Sequence, residues 1–548
     1  MQAFLLLILA IVWLGGTWLR IYKQARFYQI EEYMSPRYLR WISSDVKRLF
    51  PARPIGAWFI GIALGFLMGE APDSVVPTLI GIIAGLIASI PQPEGEIKKK
   101  FIRTQRVTRI IGAGFAVSAV FLFLLNLAST SIPLPDIQII QIAIVSTEAF
   151  IGFLLAPVWL ILGNILMIPV EAYKRNRFLK QASQVLETIR PKIIGITGSY
   201  GKTTTKNFLH DIMSVRYRTY ATPKSYNTLM GISLAINRDL TDDYSVEYFI
   251  SEMGAYVAGE IERICKLTPP DISIVTEIGP QHLERFGTLE NVKLAKYEII
   301  TNLAPDGVAV FNWDNPYIQE MVAQGYPNTR LTVSRELTVG EAKKQNITWL
   351  ATDIQETLAG LSFTITNIQT DEQEHITTAI VGEHNVTNLL LSTAVAYHEG
   401  IPLRDITFRI RTLQPAESRL VTQTTAEGIT IINDAYSANP KGVISALKVL
   451  GMYQTGKRLL ITPGMIELGD LHEIENRKLG ELATQYASDI ILVGRDQTKP
   501  IFEGIKSTSF EMSNVQVKDT LSEAVEWYQA NLKSGDTVLF LNDLPDTY

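Results

Sequence analysis

The sequence predicts an N-terminal transmembrane α-helical region followed by α/β structure with a mainly parallel sheet. Three observations carry this. Long apolar runs fill the first third of the 548 residues. A glycine-rich turn then joins a short apolar run to a helical pattern near residue 200. From there to the end, short apolar runs alternate with helical patterns, the signature of strands crossing over through helices.

The apolar runs are Ala3–Leu19, Pro54–Gly69, Val75–Ile90, Ile110–Leu127 and about Ile137–Leu160. A spanning helix needs ~20 apolar residues, within about 17–25, so the second and third runs suit a tight hairpin or a pair with little tilt. Gly61, Gly65 and Gly69 recur at every fourth position, as do Gly81 and Gly85, which lets helix backbones approach closely in lipid. The first run lacks a basic leader and a small-residue cleavage site ahead of Arg20, so it is read as a retained helix. Basic residues cluster in Arg20–Arg53 and in Gln92–Arg109 (Lys98, Lys99, Lys100, Arg103, Arg106, Arg109), while Glu70–Ser74 and Ala128–Asp136 carry none. Cytoplasmic loops hold the excess of Lys and Arg. The N-terminus is therefore expected outside, with five crossings delivering the rest of the chain to the cytoplasm. Apolar character continues past Pro157 to Val170. A turn near Pro157 is expected, followed by an interfacial helix that reaches water at Lys174, Arg175 and Arg177. Glu148, inside the last run, is either a functional intramembrane carboxylate or a neutral structural one.

Charged residues make up 19% of the chain, below the usual ~25%. The net charge of −5 argues against a nucleic-acid binder held by phosphate contacts. A single cysteine, Cys265, excludes an internal disulfide framework and a cysteine-rich zinc site.

The turn reads Ile193-Ile194-Gly195-Ile196-Thr197-Gly198-Ser199-Tyr200-Gly201-Lys202-Thr203-Thr204. Glycines let backbone N–H groups approach phosphate oxygens, and the helix after them aims its positive dipole end at those oxygens. Lys202 can reach the terminal phosphates and the Thr203 hydroxyl can bind Mg²⁺. Ile196 stands where the strict P-loop pattern has its first glycine. Further strands are expected at Tyr248–Ser251, Ile272–Glu277 and Gly307–Asn312, then in a second α/β block at Ile429–Asn433, Arg458–Thr462, Ile490–Val493 and Thr537–Leu541. Domain limits are set at 1–175, 176–413 and 414–548, with a short hinge around Leu413–Glu417.

Glu252 ends one strand, and ligands of doubly wound sheets sit at the carboxyl ends of strands. It is placed for Mg²⁺, which takes oxygen ligands and bridges phosphates. His282 comes after the next strand, and Lys296 rides the helix beyond it.

In this order, these motifs resemble the Mur ligase family over about Lys192–Asp536, most closely its D-alanyl-D-alanine-adding branch. The resemblance rests on Glu252-Met253-Gly254-Ala255, Gly382-Glu383-His384-Asn385, Asp434-Ala435-Tyr436-Ser437-Ala438-Asn439-Pro440 and Gly464-Met465-Ile466-Glu467-Leu468-Gly469. It implies a P-loop central domain and a smaller Rossmann-like C-terminal α/β domain. It implies ATP and two Mg²⁺ ions, with Gly198, Ser199, Tyr200, Gly201, Lys202, Thr203 and Thr204 on the triphosphate. Thr203, Glu252, His282 and Lys296 would hold metal, the last as a CO₂-derived carbamate. Asn312, Asn385, Arg419 and Asp434 would contact the nucleotide. Asn227, Tyr436, Asn439, Pro440 and Glu467 would face the other substrates. The implied reaction joins D-Ala-D-Ala, or another amine, to a UDP-linked or lipid-linked muramoyl peptide through an acyl phosphate, at the inner face of a bacterial cytoplasmic membrane.

The chain departs from the family pattern in four places. Membrane helices stand where the branch has a soluble uridine-nucleotide domain. The N-x-N-N run after the first helix is Lys224-Ser225-Tyr226-Asn227, Asn476 replaces an expected histidine, and Leu541-Asn542-Asp543 replaces a Lys-Gly-Ser. Ligation of another envelope polymer such as poly-glutamate therefore stays open. An ATP-driven transporter is disfavoured, because the L-S-G-G-Q run of transport ATPases is absent.

Overall fold

The computed structural model describes every residue except 1, 32, 69–74, 91–100, 131–137, 224–225, 415–419, 435–438 and 543–548. The chain divides into two compact units that meet at Arg177–Phe178.

The first unit is helical: α1 (Gln2–Ile30), α2 (Ser35–Ser43), α3 (Val46–Leu49), α4 (Ala52–Met68), α5 (Val76–Ser89), α6 (Gln105–Thr130), α7 (Gln138–Leu154) and the start of α8 (Ala156–Ile189). Phe4–Ile30, Gln105–Ser129 and Ala156–Ile189 are long and apolar enough to cross a membrane, whereas Ala52–Met68, Val76–Ser89 and Ile139–Leu154 are shorter apolar helices. Small residues bring backbones together: a Cβ on Gly61 would lie 2.7 Å from that of Ala84, and one on Gly163 would lie 2.6 Å from the Gly114 nitrogen. Glu148 accepts a hydrogen bond from Asn126 Nδ2 (3.3 Å), and Arg109 pairs with Glu171 (2.6 Å).

The fifth apolar run breaks at Leu155, just ahead of Pro157. Beyond the break comes the stretch expected to lie at the interface. Ala156–Ile189 is one 34-residue helix running through Pro169, and by length and composition it is itself a candidate span. A proline inside a helix frees one backbone carbonyl, which membrane helices tolerate when neighbouring groups satisfy it.

The second unit holds two sheets. The larger is ordered β2-β3-β1-β4-β5-β6-β7-β8-β9, with β1 Lys192–Thr197, β2 Thr219–Ala221, β3 Tyr248–Glu252, β4 Ile272–Val275, β5 Val308–Asn312, β6 Thr329–Ser334, β7 Trp349–Thr357, β8 Gly360–Asn367 and β9 Gln373–Thr378. Strands β1 to β7 pair in parallel. The central strands are buried along their whole length, as a sheet covered on both faces requires. One face packs on Phe208, Leu209 and Leu390, the other on Ile261, Ile264 and Ile299. Strands β7–β9 form antiparallel pairs with alternating burial. The sequence reading assigned no strands to this segment.

The smaller sheet is ordered β10-β11-β15-β12-β13-β14, with β10 Val421–Thr424, β11 Thr430–Asp434, β12 Arg458–Thr462, β13 Asp489–Val493, β14 Val515–Lys518 and β15 Thr537–Leu541. Its four inner strands are the four expected from sequence. The two edges, β10 and β14, are short and carry exposed or half-buried residues, so they lack an apolar signal. Residues 415–419 of the expected hinge lie outside the described residues.

Candidate active site

In the large sheet the chain leaves β1, fills the positions on one side of it with β2 and β3, then returns to the other side with β4. This strand-order reversal puts the carboxyl ends of β1, β3 and β4 around one crevice, where doubly wound sheets bind ligands.

The loop after β1 is tightly held. Gly198 has φ 146°, and a Cβ there would lie 2.1 Å from Thr276 Oγ1. Gly201, at φ 82°, ends the loop and starts α9 (Lys202–Met213). Ser199 Oγ donates to the Gly279 carbonyl (3.0 Å) and accepts from its N–H (3.0 Å), tying the loop to the segment after β4. Lys202 Nζ donates to the Gly198 (2.7 Å) and Ser199 (3.0 Å) carbonyls, so its ammonium already sits over the loop.

Glu252 closes β3 beneath this loop and is 2% exposed. Its Oε1 accepts from Thr203 Oγ1 (3.1 Å) and Asn227 Nδ2 (3.2 Å), and its Oε2 accepts from Lys206 Nζ (3.2 Å). Burial opposes ionisation here. The Lys206 and Lys202 ammoniums and the two side-chain hydrogen bonds outweigh it and hold the carboxyl below its usual range. A hydroxyl and a carboxylate oxygen facing one cavity fit Mg²⁺, which uses few protein oxygens and completes its octahedron with phosphates and water.

The same cleft, with an empty volume of about 750 Å³, is lined by Lys202, Thr203, Glu252, His282, Lys296 and Asn439 among others. Lys296 is 2% exposed. Burial first, and then the nearby Lys202 charge, push its ammonium pKa down to about 7. His282 sits at φ 55° against the Tyr256 ring (4.6 Å), and its Nδ1 contacts the Glu467 carboxylate. That hydrogen bond holds the Glu467 carboxyl below its usual range.

A second cleft adjoins, with an empty volume of about 630 Å³, and shares Tyr200, Gly201 and Asn439 with the first. Asn312 lines it, donating to the Thr276 carbonyl (2.9 Å) and Glu277 Oε2 (3.0 Å). Lys441, from the second sheet's domain, pairs across it with Glu277 (3.0 Å). The Tyr200 hydroxyl is buried with no hydrogen-bond partner among the described residues. Together the clefts set the glycine loop beside a hydroxyl–carboxylate pair and a polar slot.

The structure therefore gathers Gly201, Lys202, Thr203, Glu252, His282, Lys296, Asn227 and Asn439 in one cleft, with Thr204 and Asn312 beside it. Asn385 is not brought in. Its amide is spent on the Val381 carbonyl (2.8 Å) and on Asn388 (3.0 Å), and its neighbours His384 and Thr387 line the slot instead. Asp434 and Pro440 line neither cleft. Pro440 is the first residue of a helix capped by Asn439. Arg419 and Tyr436 lie outside the described residues. Sequence reasoning missed Lys206, Glu277 and Lys441. No local signal marks Lys206, because its partner Glu252 lies 46 residues away in sequence.

Comparison with known proteins fits this geometry. Profiles of the "Mur ligase middle domain" and the "Mur ligase, glutamate ligase domain" match residues 196–396 and 418–542. The chain is 30% identical over 320 residues to the UDP-N-acetylmuramoyl-tripeptide--D-alanyl-D-alanine ligase of Escherichia coli (strain K12), an alignment spanning 58% of this chain and 68% of that protein. The chain belongs to the Mur ligase family. It is accordingly an ATP-dependent, ADP-forming ligase. The protein of the same name from Bacillus subtilis (strain 168) is 29% identical over 360 residues, 66% of this chain and 74% of that one. Among solved structures, MurF from Acinetobacter baumannii matches with TM-score 0.59 and 26% identity over 67% of this chain and 77% of that chain. MurF ligase from Thermotoga maritima in complex with ADP shares the fold, with TM-score 0.58 and 24% identity over 67% and 80%.

Within this Mur ligase, Asn476 has a structural task. It is fully buried, accepts from the Met465 N–H (2.8 Å) and donates to the Met465 (2.9 Å) and His472 (3.0 Å) carbonyls. It thus holds the turn that presents Glu467. Asn476→Ala is expected to cost about 2–4 kcal/mol, since it leaves buried backbone groups unpaired. Denaturant unfolding of the C-terminal domain would register this as a lower midpoint, and an unchanged midpoint would refute it.

Proposed function

We propose that the protein is a membrane-anchored ligase of peptidoglycan precursor synthesis that joins D-Ala-D-Ala to a muramoyl tripeptide through an acyl phosphate. The observation that carries this reading is the convergence of Lys202, Thr203, Glu252, His282 and Lys296 on one cleft in a chain whose relatives bear that ligase name.

In this reading the loop N–H groups and Lys202 bind the triphosphate. The acceptor carboxylate attacks the γ-phosphorus: a carboxylate oxygen–phosphorus bond forms, the bond from that phosphorus to the β,γ-bridging oxygen breaks, and ADP leaves. The unprotonated amine of the second substrate then attacks the acyl carbon. Inorganic phosphate departs, and the amine's proton passes to solvent. Thr203 and Glu252, with His282, would hold Mg²⁺, which supplies charge stabilisation on the transferring phosphoryl group. Lys296 would act as a carbamate, exchanging a buried cation for an acidic ligand. Contacts between the two domains, Lys441 with Glu277 (3.0 Å) and His384 with Ser445 (2.9 Å), favour a closed cleft that keeps water from the acyl phosphate.

The apolar helices of the first unit would anchor the enzyme in the cytoplasmic membrane, with the ligase unit on the basic, cytoplasmic side. Such an anchor suits a lipid-linked acceptor as well as a UDP-linked one. An acceptor screen tests the whole reading. Detergent-purified protein with ATP, Mg²⁺ and CO₂ is offered UDP- or lipid-linked muramoyl tripeptide and D-Ala-D-Ala, and the products are identified by mass spectrometry. A pentapeptide product is expected. ATP turnover only with a poly-glutamate-type acceptor would replace this reading with the alternative polymer.

A further inference from the structure

Lys206 is almost fully buried, at 2% exposure, and its side chain pairs with that of Glu252 at 3.2 Å. A buried lysine is costly unless paired, and this one is spent on the carboxylate that faces the phosphate loop. The two oxygens of Glu252 are divided by this arrangement. Oε2 is taken by Lys206, while Oε1 meets Thr203 Oγ1 (3.1 Å) and Asn227 Nδ2 (3.2 Å) at the cleft. The pair is neutral overall, and Lys202 and Lys296 line the same cleft. A divalent cation entering alone would meet a carboxylate whose charge is already balanced and the ammonium of Lys202.

We propose that Lys206 is a positioning residue that makes cation binding at Glu252 conditional on the nucleotide's phosphates. It fixes the carboxylate so that one oxygen faces the cation, and it cancels the negative charge that would otherwise draw a cation before the triphosphate arrives. The anionic phosphates then supply the missing charge, so cation and nucleotide enter together. The inference rests on the reading of Glu252 as a cation ligand.

The test is Mn²⁺ binding to the full-length protein in detergent, followed by electron paramagnetic resonance without nucleotide and then with ADP. Without nucleotide, the wild type is expected to show no site that Glu252→Gln removes. Lys206→Met should gain one, about tenfold tighter or more, because an unbalanced carboxylate now faces the cleft. The double variant with Glu252→Gln should lose that gain, and Lys206→Arg should behave as the wild type. With ADP present, Glu252→Gln should weaken Mn²⁺ binding. If it does not, the ligand reading itself fails. If it does, but Lys206→Met binds nucleotide-free Mn²⁺ no better than the wild type, the inference alone is overturned. Should Lys206→Met not fold, the wild type decides: a Glu252-dependent site as tight without ADP as with it contradicts the proposal, and no such site supports it.

Discussion

Lys202→Ala is expected to abolish ligation while leaving the protein folded. The Lys202 ammonium is half-buried over the loop, bonded to the Gly198 and Ser199 carbonyls, and no other side chain that starts α9 carries a charge. Phosphoryl transfer in such sites depends on positioning and on stabilising charge at the moving group, and loss of one cation aimed there costs about 10³-fold or more. The interaction strengthens as the phosphoryl group transfers, so kcat and kcat/KM should fall together, with a smaller change in the KM for ATP. The thermal midpoint should move little, because the loop is fixed independently by Ser199 and Gly279. ADP release within tenfold of the wild type would remove Lys202 from the chemistry.

The second large effect concerns Lys296. Burial and the Lys202 charge bring its pKa down to about 7, from ~10.4 for a free lysine side chain. Below about 7 the amine is protonated and cannot attack CO₂, and above it the neutral amine predominates. At fixed dissolved CO₂, activity should therefore rise with pH between about 6 and 8 with a midpoint near 7. Lys296→Arg, which keeps a cation and cannot form the carbamate, should lose about 10²-fold or more and show no such rise. Intact-protein mass spectrometry under CO₂ should find one added CO₂ on the wild type and none on the variant. An Arg variant with wild-type activity would leave Lys296 a structural residue.

Much of this site is legible in the sequence, for local reasons. The glycine turn after an apolar run fixes a strand, a loop and a helix start within a dozen residues. Glu252 and His282 each come after a buried strand, and the parallel sheet brings such strand ends to one edge. Lys206 is not legible, because a lysine one turn into a helix is ordinarily solvated. Its burial depends on Glu252, which β3 brings beneath α9 from 46 residues away. Glu277 and Lys441 meet only across the two domains, which no local pattern encodes. Strands β7–β9 escape for another reason. Beyond Trp349-Leu350-Ala351 only isolated residues are apolar there, and a bulge between Thr352 and Gln355, with Asp353 at φ 53°, breaks the period. Asn385 matches the family motif, yet its first helical turn directs its amide inward to Val381 and leaves the slot to its neighbours.

The central claim is that ATP is spent on activating a carboxylate for amide formation. It is tested most directly by supplying the muramoyl tripeptide with its terminal carboxylate labelled with ¹⁸O, together with ATP and D-Ala-D-Ala, and tracing the label by mass spectrometry. The acyl-phosphate route predicts one labelled oxygen in the released phosphate and one retained in the new amide carbonyl. Unlabelled phosphate, or ATP consumed with no amide formed, would contradict it.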